Sequence, residues 1–301
     1  GVPASEAMEQ CDLLLIVGAD CPYTSFYPKK ARIVQIEPVP ARMGRRAAIA
    51  APLRGHAKPT LEALLETVDR KVASGFYQRI LRIKGKWRQE QTKAEQSGSK
   101  PIKPQRLIAD IAATAPDDAI FLCDTGTTTA WTARHLPIGE RQRYTLSSSL
   151  ASMAFGMPGA IGAQLLYPER RVIAITGDGG FTMLMGDFVT AAHHKLPIVC
   201  VVLNNAKLGF IALEQEAKGL PEHSIDLLNP DFAAFAEACG GFGRRVEEPD
   251  EIVPALEEAL ASRKPAILDV KTNPNELIMP PRITLEQAAN FGLAKWKEFW
   301  M

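Results

Sequence analysis

The chain has almost no net charge: 35 lysines and arginines stand against 34 aspartates and glutamates, a balance of +1 over 301 residues. A nucleic-acid binder would carry a basic excess, so that class is set aside. No apolar run approaches the roughly 18 residues a membrane span needs, and the amino end lacks a cationic, then apolar, then small-residue signal pattern. A membrane-surface role could rest only on the tail Leu285 to Met301, with its Phe291, Trp296, Phe299 and Trp300. Its mixed charge favours packing against the protein or a partner subunit. The five cysteines, Cys11, Cys21, Cys123, Cys200 and Cys239, include no CxxC pair, and an odd number cannot all pair within one chain. Reduced thiols and a cytoplasmic location are therefore expected. Also missing are HExxH, a Walker lysine, a Ser-His-Asp set and GxGxxG, which removes the usual signatures of zinc proteases, nucleotide hydrolases and serine hydrolases. His193 and His194 are adjacent, about 100° apart on a helix, and make poor joint metal ligands. His56, His135 and His223 stand alone.

What is present is concentrated between Arg171 and Phe210, RVIAITGDGGFTMLMGDFVTAAHHKLPIVCVVLNNAKLGF. An apolar run, Val172 to Ile175, stops at Gly177-Asp178-Gly179-Gly180, and helical spacing follows through Phe181, Leu184, Phe188 and Ala192. Pro197 opens a second run, Ile198 to Leu203, which ends on Asn204-Asn205. This is a βαβ unit with polar groups at the carboxyl ends of both strands, where open parallel sheets place ligands. Asp178 offers an anionic oxygen and Asn205 an amide oxygen, the hard ligands that magnesium prefers alongside phosphate and water. Gly177, Gly179 and Gly180 put no Cβ in the way of a phosphate. Either half alone suits an ordinary turn; together they describe a site for a magnesium-bridged diphosphate.

With 46% hydrophobic and 23% charged residues, the remainder reads as a soluble α/β protein of about two domains. DLLLIVGAD reads as a buried parallel strand and Arg32 to Glu37 as a second. Glu37 at its end suits either a nucleotide ribose or a solvated turn. Pro59 to Val72 reads as a helix with Leu61, Leu64, Leu65 and Val68 on one side. A polar, basic stretch from Lys71 to Pro104 reads as helical segments and a connector, placing the domain boundary near Gly98. Pro104 opens a helix to about Thr114. Ala119 to Cys123 is a short strand followed by Asp124-Thr125-Gly126-Thr127, which fits a phosphate approach or a helix cap. Leu150 to Gln164 carries Gly156, Gly159 and Gly162 in a helix-like context, with Met153 at its start. Leu208 to Ala217, Pro230 to Cys239 and Pro249 to Ala261 are further helices, and Pro265 to Val270 is the last strand.

GDG followed by NN, with Asn205 27 positions after Asp178, resembles the cofactor motif of thiamine-diphosphate-dependent enzymes. CDTGTTTAW (Cys123 to Trp131), SMAFGMPGAIGAQ (Ser152 to Gln164), LMGDF (Leu184 to Phe188) and NPDFAAFAEACG (Asn229 to Gly240) extend the resemblance to the pyruvate oxidase branch, which includes quinone-linked pyruvate dehydrogenases. It implies an α/β fold: a three-layer, parallel-sheet thiamine-diphosphate-binding domain over residues 99–301, preceded by a partial Rossmann-like middle domain and linker over 1–98. Asp178, Asn205 and the Lys207 carbonyl would hold Mg2+. Gly179 and Gly180 would face the diphosphate, as would Thr127, with Thr128 a further candidate; Gly177, Phe181, Leu208, Gly209, Asp124 and Gly126 would complete the cofactor-binding set. Ser152 and Met153 would meet the cofactor's body, Met153 wedging its two rings into a bent form. Phe210 and Glu214, four apart on one helical face, would line the substrate side.

The branch's middle domain binds FAD, which makes FAD a third candidate cofactor. The implied substrate is a small 2-keto acid, pyruvate foremost. The other readings are an acetolactate synthase-like carboligase, a cofactor-binding chain without activity of its own, and a nicotinamide dehydrogenase using the early strands. The family's activating glutamate comes from an amino-terminal, pyrimidine-binding domain that nothing here matches. These residues alone are therefore expected to bind cofactor without turnover, to expose apolar surface around Met153 and Met157, and to form a homo-oligomer (dimer or tetramer) or pair with a separate pyrimidine-binding domain.

Overall fold

The computed structural model describes residues 1–72, 74–276, 278 and 285–300, without the side chains of Phe299 and Trp300. Those two side chains and Met301, all part of the expected aromatic tail, lie outside the described residues. The chain divides into two compact units, Gly1–Glu90 and Gln91–Met301.

The first unit opens with α1 (Val2–Gln10), a helix that the sequence pattern does not announce; Pro3 sits in its first turn, where its missing N–H costs nothing. Strands β1 (Leu13–Val17), β2 (Arg32–Ile36) and β3 (Ala51–Leu53) form a parallel sheet in the order β1-β2-β3. β1 is therefore an edge strand. The apolar run DLLLIVGAD predicts a buried strand, yet Leu13 and Leu15 are 47% and 39% exposed, because among the described residues of the unit nothing covers that face of the edge. Glu37 is neither a solvated strand end nor open to a ribose. It is buried, and its carboxylate accepts from the Val39 amide at 2.9 Å, closing the turn after β2. Helix α2 (Ala57–Thr67) stops before Val68, which adopts an extended conformation, so Leu65 and Val68 are exposed rather than packed on one side. Helix α3 (Gly75–Glu95) carries the chain into the second unit.

The second unit is built on six parallel strands: β4 (Ile120–Cys123), β5 (Arg143–Leu146), β6 (Val172–Gly177), β7 (Val199–Asn204), β8 (Phe242–Val246) and β9 (Ala266–Lys271). Their order is β5-β4-β6-β7-β9-β8. The inner strands are apolar on both faces, as a sheet covered by helices on each side requires. Ile173, Ile175, Val199, Val201 and Leu203 face α4 (Pro104–Thr114), α5 (Thr127–His135) and α11 (Ile252–Ser262). Val172, Ala174, Cys200 and Val202 face α6 (Gly156–Leu166), α7 (Asp178–Met183), α8 (Asp187–His193) and α10 (Phe232–Ala238). Each fully buried Val, Ile or Leu side chain contributes about 1.5–3 kcal/mol, so these two layers hold the sheet rigid beneath its loops.

The single helix expected from Phe181 to Ala192 is broken at Leu184–Gly186 into α7 and α8. Its apolar spacing is kept because Phe181 and Phe188 enter the same core from both pieces. Helix α9 (Gly209–Ala217) packs against α12 (Leu285–Trp300). Among the described residues, no helix is long and apolar enough to cross a membrane.

The cysteines range from buried to exposed, with Cys11 and Cys239 half-buried. Cys200 and Cys123 are buried, and burial pushes the Cys200 thiol up to about 12, whereas Cys21 is exposed. A chromogenic disulfide reagent should label Cys21 in the native protein and reach Cys123 and Cys200 only on unfolding. Rapid labelling of all five would contradict this core.

Candidate functional site

β4 and β6 are neighbours, yet the chain leaves β4 toward β5 on one side and returns to β6 on the other. That reversal is the switch point at which doubly wound sheets open a crevice beyond their carboxyl ends. Three loops meet there: Asp124–Gly126 after β4, Gly177–Asp178 after β6 and Asn205–Leu208 after β7.

Asp178 opens α7 and is 2% exposed. Its Oδ1 accepts from the Gly179 amide at 2.9 Å, and its Oδ2 from the Ala206 amide at 2.6 Å and from Asn229 Nδ2 at 2.8 Å. Burial raises its pKa, while Asn229 and the amides of Gly179 and Ala206 pull it back. Asn205 accepts from the Lys207 amide at 3.2 Å, which leaves its amide oxygen a second lone pair. Lys207 bridges to Asp226 through the main chain, and its ammonium pairs with Glu222 at 2.5 Å. Between Asn205 and Lys207, Ala206 is held at φ +54°, a left-handed conformation that costs a non-glycine residue about 1–2 kcal/mol.

A Cβ would collide with a neighbouring side chain at three points of this crevice. A Cβ on Gly180 would lie 2.0 Å from Asp124 Oδ2, one on Gly209 2.9 Å from Thr127 Cγ2, and one on Gly179 2.9 Å from Leu208 Cδ2. Around that last position Leu227 and Met153 also approach, with Met153 Cε 3.8 Å away. Met153 itself is 37% exposed and precedes α6 by three residues, between Ala151 and Ala154, both with positive φ.

The expected site residues fall into two groups. Thr127, Met153, Asp178, Gly179, Asn205, Leu208 and Gly209 meet around the crevice, where Thr127, Asn205 and Gly209 also border a cavity of about 120 Å³. Thr127 is the first residue of α5 rather than its cap, which is Gly126. The others have different surroundings. Asp124 is wholly buried, its Oδ1 accepting from the amides of Thr125 (2.8 Å) and Phe155 (3.0 Å). The Phe181 ring packs edge-on against Phe232 at 5.3 Å in the core. Ser152 is exposed and donates its amide to Ser147 Oγ. Phe210 packs against the α4/α11 core while Glu214 is exposed, so the two do not share an environment. Met157 was expected at an exposed surface and is 1% exposed, in the core beneath α6.

Three residues behind the crevice have no role that the local sequence pattern assigns. Asn229 donates to Asp178 and also to Asn204 Oδ1 at 3.0 Å; Asn204 donates to buried Asp269 at 2.7 Å. The available signal was Asp269 itself, a carboxylate inside the apolar run of β9, since a buried carboxylate in a strand needs a partner.

A doubly wound α/β domain with a buried acid, amides and closely packed glycines at its switch point has the form of a cofactor-binding domain. The family model for the C-terminal TPP-binding domain of thiamine pyrophosphate enzymes matches residues 124–270, and that for their central domain matches residues 2–64. The chain belongs to the thiamine pyrophosphate enzyme family. It is 41% identical over 298 residues to the putative thiamine pyrophosphate-containing protein YdaP of Bacillus subtilis, covering 99% of this chain and 52% of that protein. It is 29% identical to the pyruvate oxidase of Lactiplantibacillus plantarum, over 96% of this chain and 49% of that protein. Against a probable acetolactate synthase large subunit of Methanocaldococcus jannaschii it is 30% identical, over 92% and 49%. The chain spans about half the length of these curated relatives.

Proposed function

We propose that these residues form the magnesium- and diphosphate-binding portion of an enzyme that decarboxylates a small 2-keto acid, pyruvate foremost. The observation that carries this is the meeting of buried Asp178 with Asn205 at the ends of adjacent strands, where Gly179 and Gly180 follow directly on the acid. The donor set fits the cofactor: the Asp178 carboxylate and the Asn205 amide oxygen are hard ligands of the kind magnesium takes. Asp178, Asn205 and the Lys207 carbonyl would hold the metal, Gly179, Gly180 and Thr127 would face the diphosphate, and Met153 would support the cofactor's body. When bound, thiamine diphosphate supplies the electron sink for decarboxylation. The protein's part is to fix that group, exclude water and orient the acid. Glu214, exposed on α9, is assigned to the substrate side.

Oxidation and carboligation remain the two fates to separate, because pyruvate oxidase and acetolactate synthases are similar to this chain to the same degree. We assign the oxidase fate on the segments Cys123 to Trp131, Ser152 to Gln164, Leu184 to Phe188 and Asn229 to Gly240, and with it FAD, which flavin absorbance of the purified protein checks. The test is pyruvate-dependent dye reduction against acetolactate formation, run on the 301-residue polypeptide with and without a separately supplied amino-terminal domain from a related oxidase. Binding without turnover by the polypeptide alone, and dye reduction once the domain is added, are expected; acetolactate without dye reduction contradicts the oxidase fate. Because Glu214 is exposed, Glu214→Gln should leave stability within about 0.5 kcal/mol. It should lower turnover in the reconstituted enzyme, and unchanged turnover removes Glu214 from the site. A homo-oligomer, dimer or tetramer, or the added domain would cover Leu150 and Met153.

A further inference from the structure

Behind Asp178 a line of polar side chains runs through the sheet from one strand end to the next. Asp269 on β9 accepts from Asn204 Nδ2 at 2.7 Å, and Lys271 Nζ lies 3.4 Å from its other oxygen. Asn204, the last residue of β7, accepts in turn from Asn229 Nδ2 at 3.0 Å, and the same Nδ2 donates to Asp178 Oδ2 at 2.8 Å. Asp178, Asn204 and Asp269 are 2%, 2% and 0% exposed, and Asn229 is half-buried in the loop ahead of α10.

The direction of this line is set at one end. A carboxylate accepts and cannot donate, so Asp269 obliges Asn204 to turn its amide nitrogen toward β9 and its oxygen toward Asn229. Facing that oxygen and Asp178 Oδ2, Asn229 must present its nitrogen, and both of its amide hydrogens are then engaged. Reversing either amide would set donor against donor or acceptor against acceptor in a buried setting. Asp178 Oδ2 is thus gripped by Asn229 and the Ala206 amide, which fixes the carboxylate's rotation about its last side-chain bond.

We infer that Asn229 is a positioning residue: with Asn204 and Asp269 behind it, it holds the Asp178 carboxylate in the one orientation in which it would meet the metal. This rests on Asp178 being the metal ligand proposed above. Outer hydrogen bonds of this kind typically alter metal affinity by about 10–100-fold when removed. They matter most for magnesium, which demands near-ideal octahedral geometry, and less for calcium, which tolerates irregular oxygen ligands. Selectivity between the two ions therefore reports positioning, whereas a loss of folded protein weakens both alike.

The experiment titrates magnesium and, separately, calcium into protein with saturating thiamine diphosphate, by calorimetry, for the unaltered protein, Asn229→Ala, Asn229→Ser and Asp178→Ala. For both Asn229 variants we expect magnesium affinity to fall about tenfold with calcium affinity changed far less. An unchanged magnesium-to-calcium ratio in both, whether both affinities fall or neither does, overturns the inference. Asp178→Ala separates the two levels: if it retains full magnesium affinity the metal-site reading fails, whereas its loss beside an unchanged ratio in the Asn229 variants refutes the positioning role alone.

Discussion

Asp178→Ala should weaken magnesium-dependent binding of thiamine diphosphate at least tenfold, about 1.4 kcal/mol. The change removes the anionic ligand and leaves the diphosphate's charge less screened. It also strands the Ala206 amide and the Asn229 amide group, which both donate to Asp178 Oδ2. A buried donor without an acceptor costs about 1–3 kcal/mol, so the variant should also melt earlier. Asp178→Asn is no gentler control. Both carboxylate oxygens accept in the native site, and an amide offers only one oxygen, so either orientation sets its nitrogen against a donor. Binding and melting temperature are to be read together by calorimetry. A variant that melts earlier yet binds with unaltered magnesium-dependent affinity would leave Asp178 a structural residue.

A comparably large loss is expected from adding one methyl group at Gly180. The new Cβ would lie 2.0 Å from Asp124 Oδ2 and 3.0 Å from its Cγ, and the Asp124 carboxylate is buried and held through Oδ1 by the amides of Thr125 and Phe155. It cannot swing aside without freeing those amides, so α7 or the start of α6 has to shift. Overpacking of this kind costs about 1–3 kcal/mol, and here the displaced helix is the one that begins with Asp178, so cofactor affinity should fall with stability. Gly162→Ala is the matched control. Gly162 is exposed inside α6 with nothing within 4 Å of its Cβ position, so alanine there should add about 0.5–1 kcal/mol of stability. Equal effects from the two substitutions would show that the crevice has more room than its geometry allows.

The parts of the molecule legible in the sequence were those set by local pattern. The apolar runs of β4, β6, β7 and β9, the helix start at Pro104 and the turn residues at Gly177–Gly180 and Asn204–Asn205 all announce themselves within a few positions. β3, β5 and β8 did not: they are three to five residues long, with exposed polar positions in β5 and β8. Their identity comes from pairing with a neighbour rather than from their own composition. The same distinction divides the site. Asp178 and Asn205 could be picked out because chain spacing alone puts them at adjacent strand ends. Asn229 and Asp269 lie 51 and 91 positions from Asp178, and only the fold brings them into line behind it. Phe210 and Glu214 show the limit of periodicity: a spacing of four puts two residues on neighbouring parts of a helix surface, but the core against which α9 packs decides that one is covered and the other open.

The central claim is that the crevice at the ends of β4, β6 and β7 takes a magnesium-bridged diphosphate of thiamine. The most direct measurement is a calorimetric titration of the protein with thiamine diphosphate in excess magnesium, repeated after chelation and with NAD in its place. Saturable binding of thiamine diphosphate that disappears on removing magnesium, with none of NAD, is the predicted result. Binding of NAD, or thiamine diphosphate binding indifferent to the metal, would contradict it.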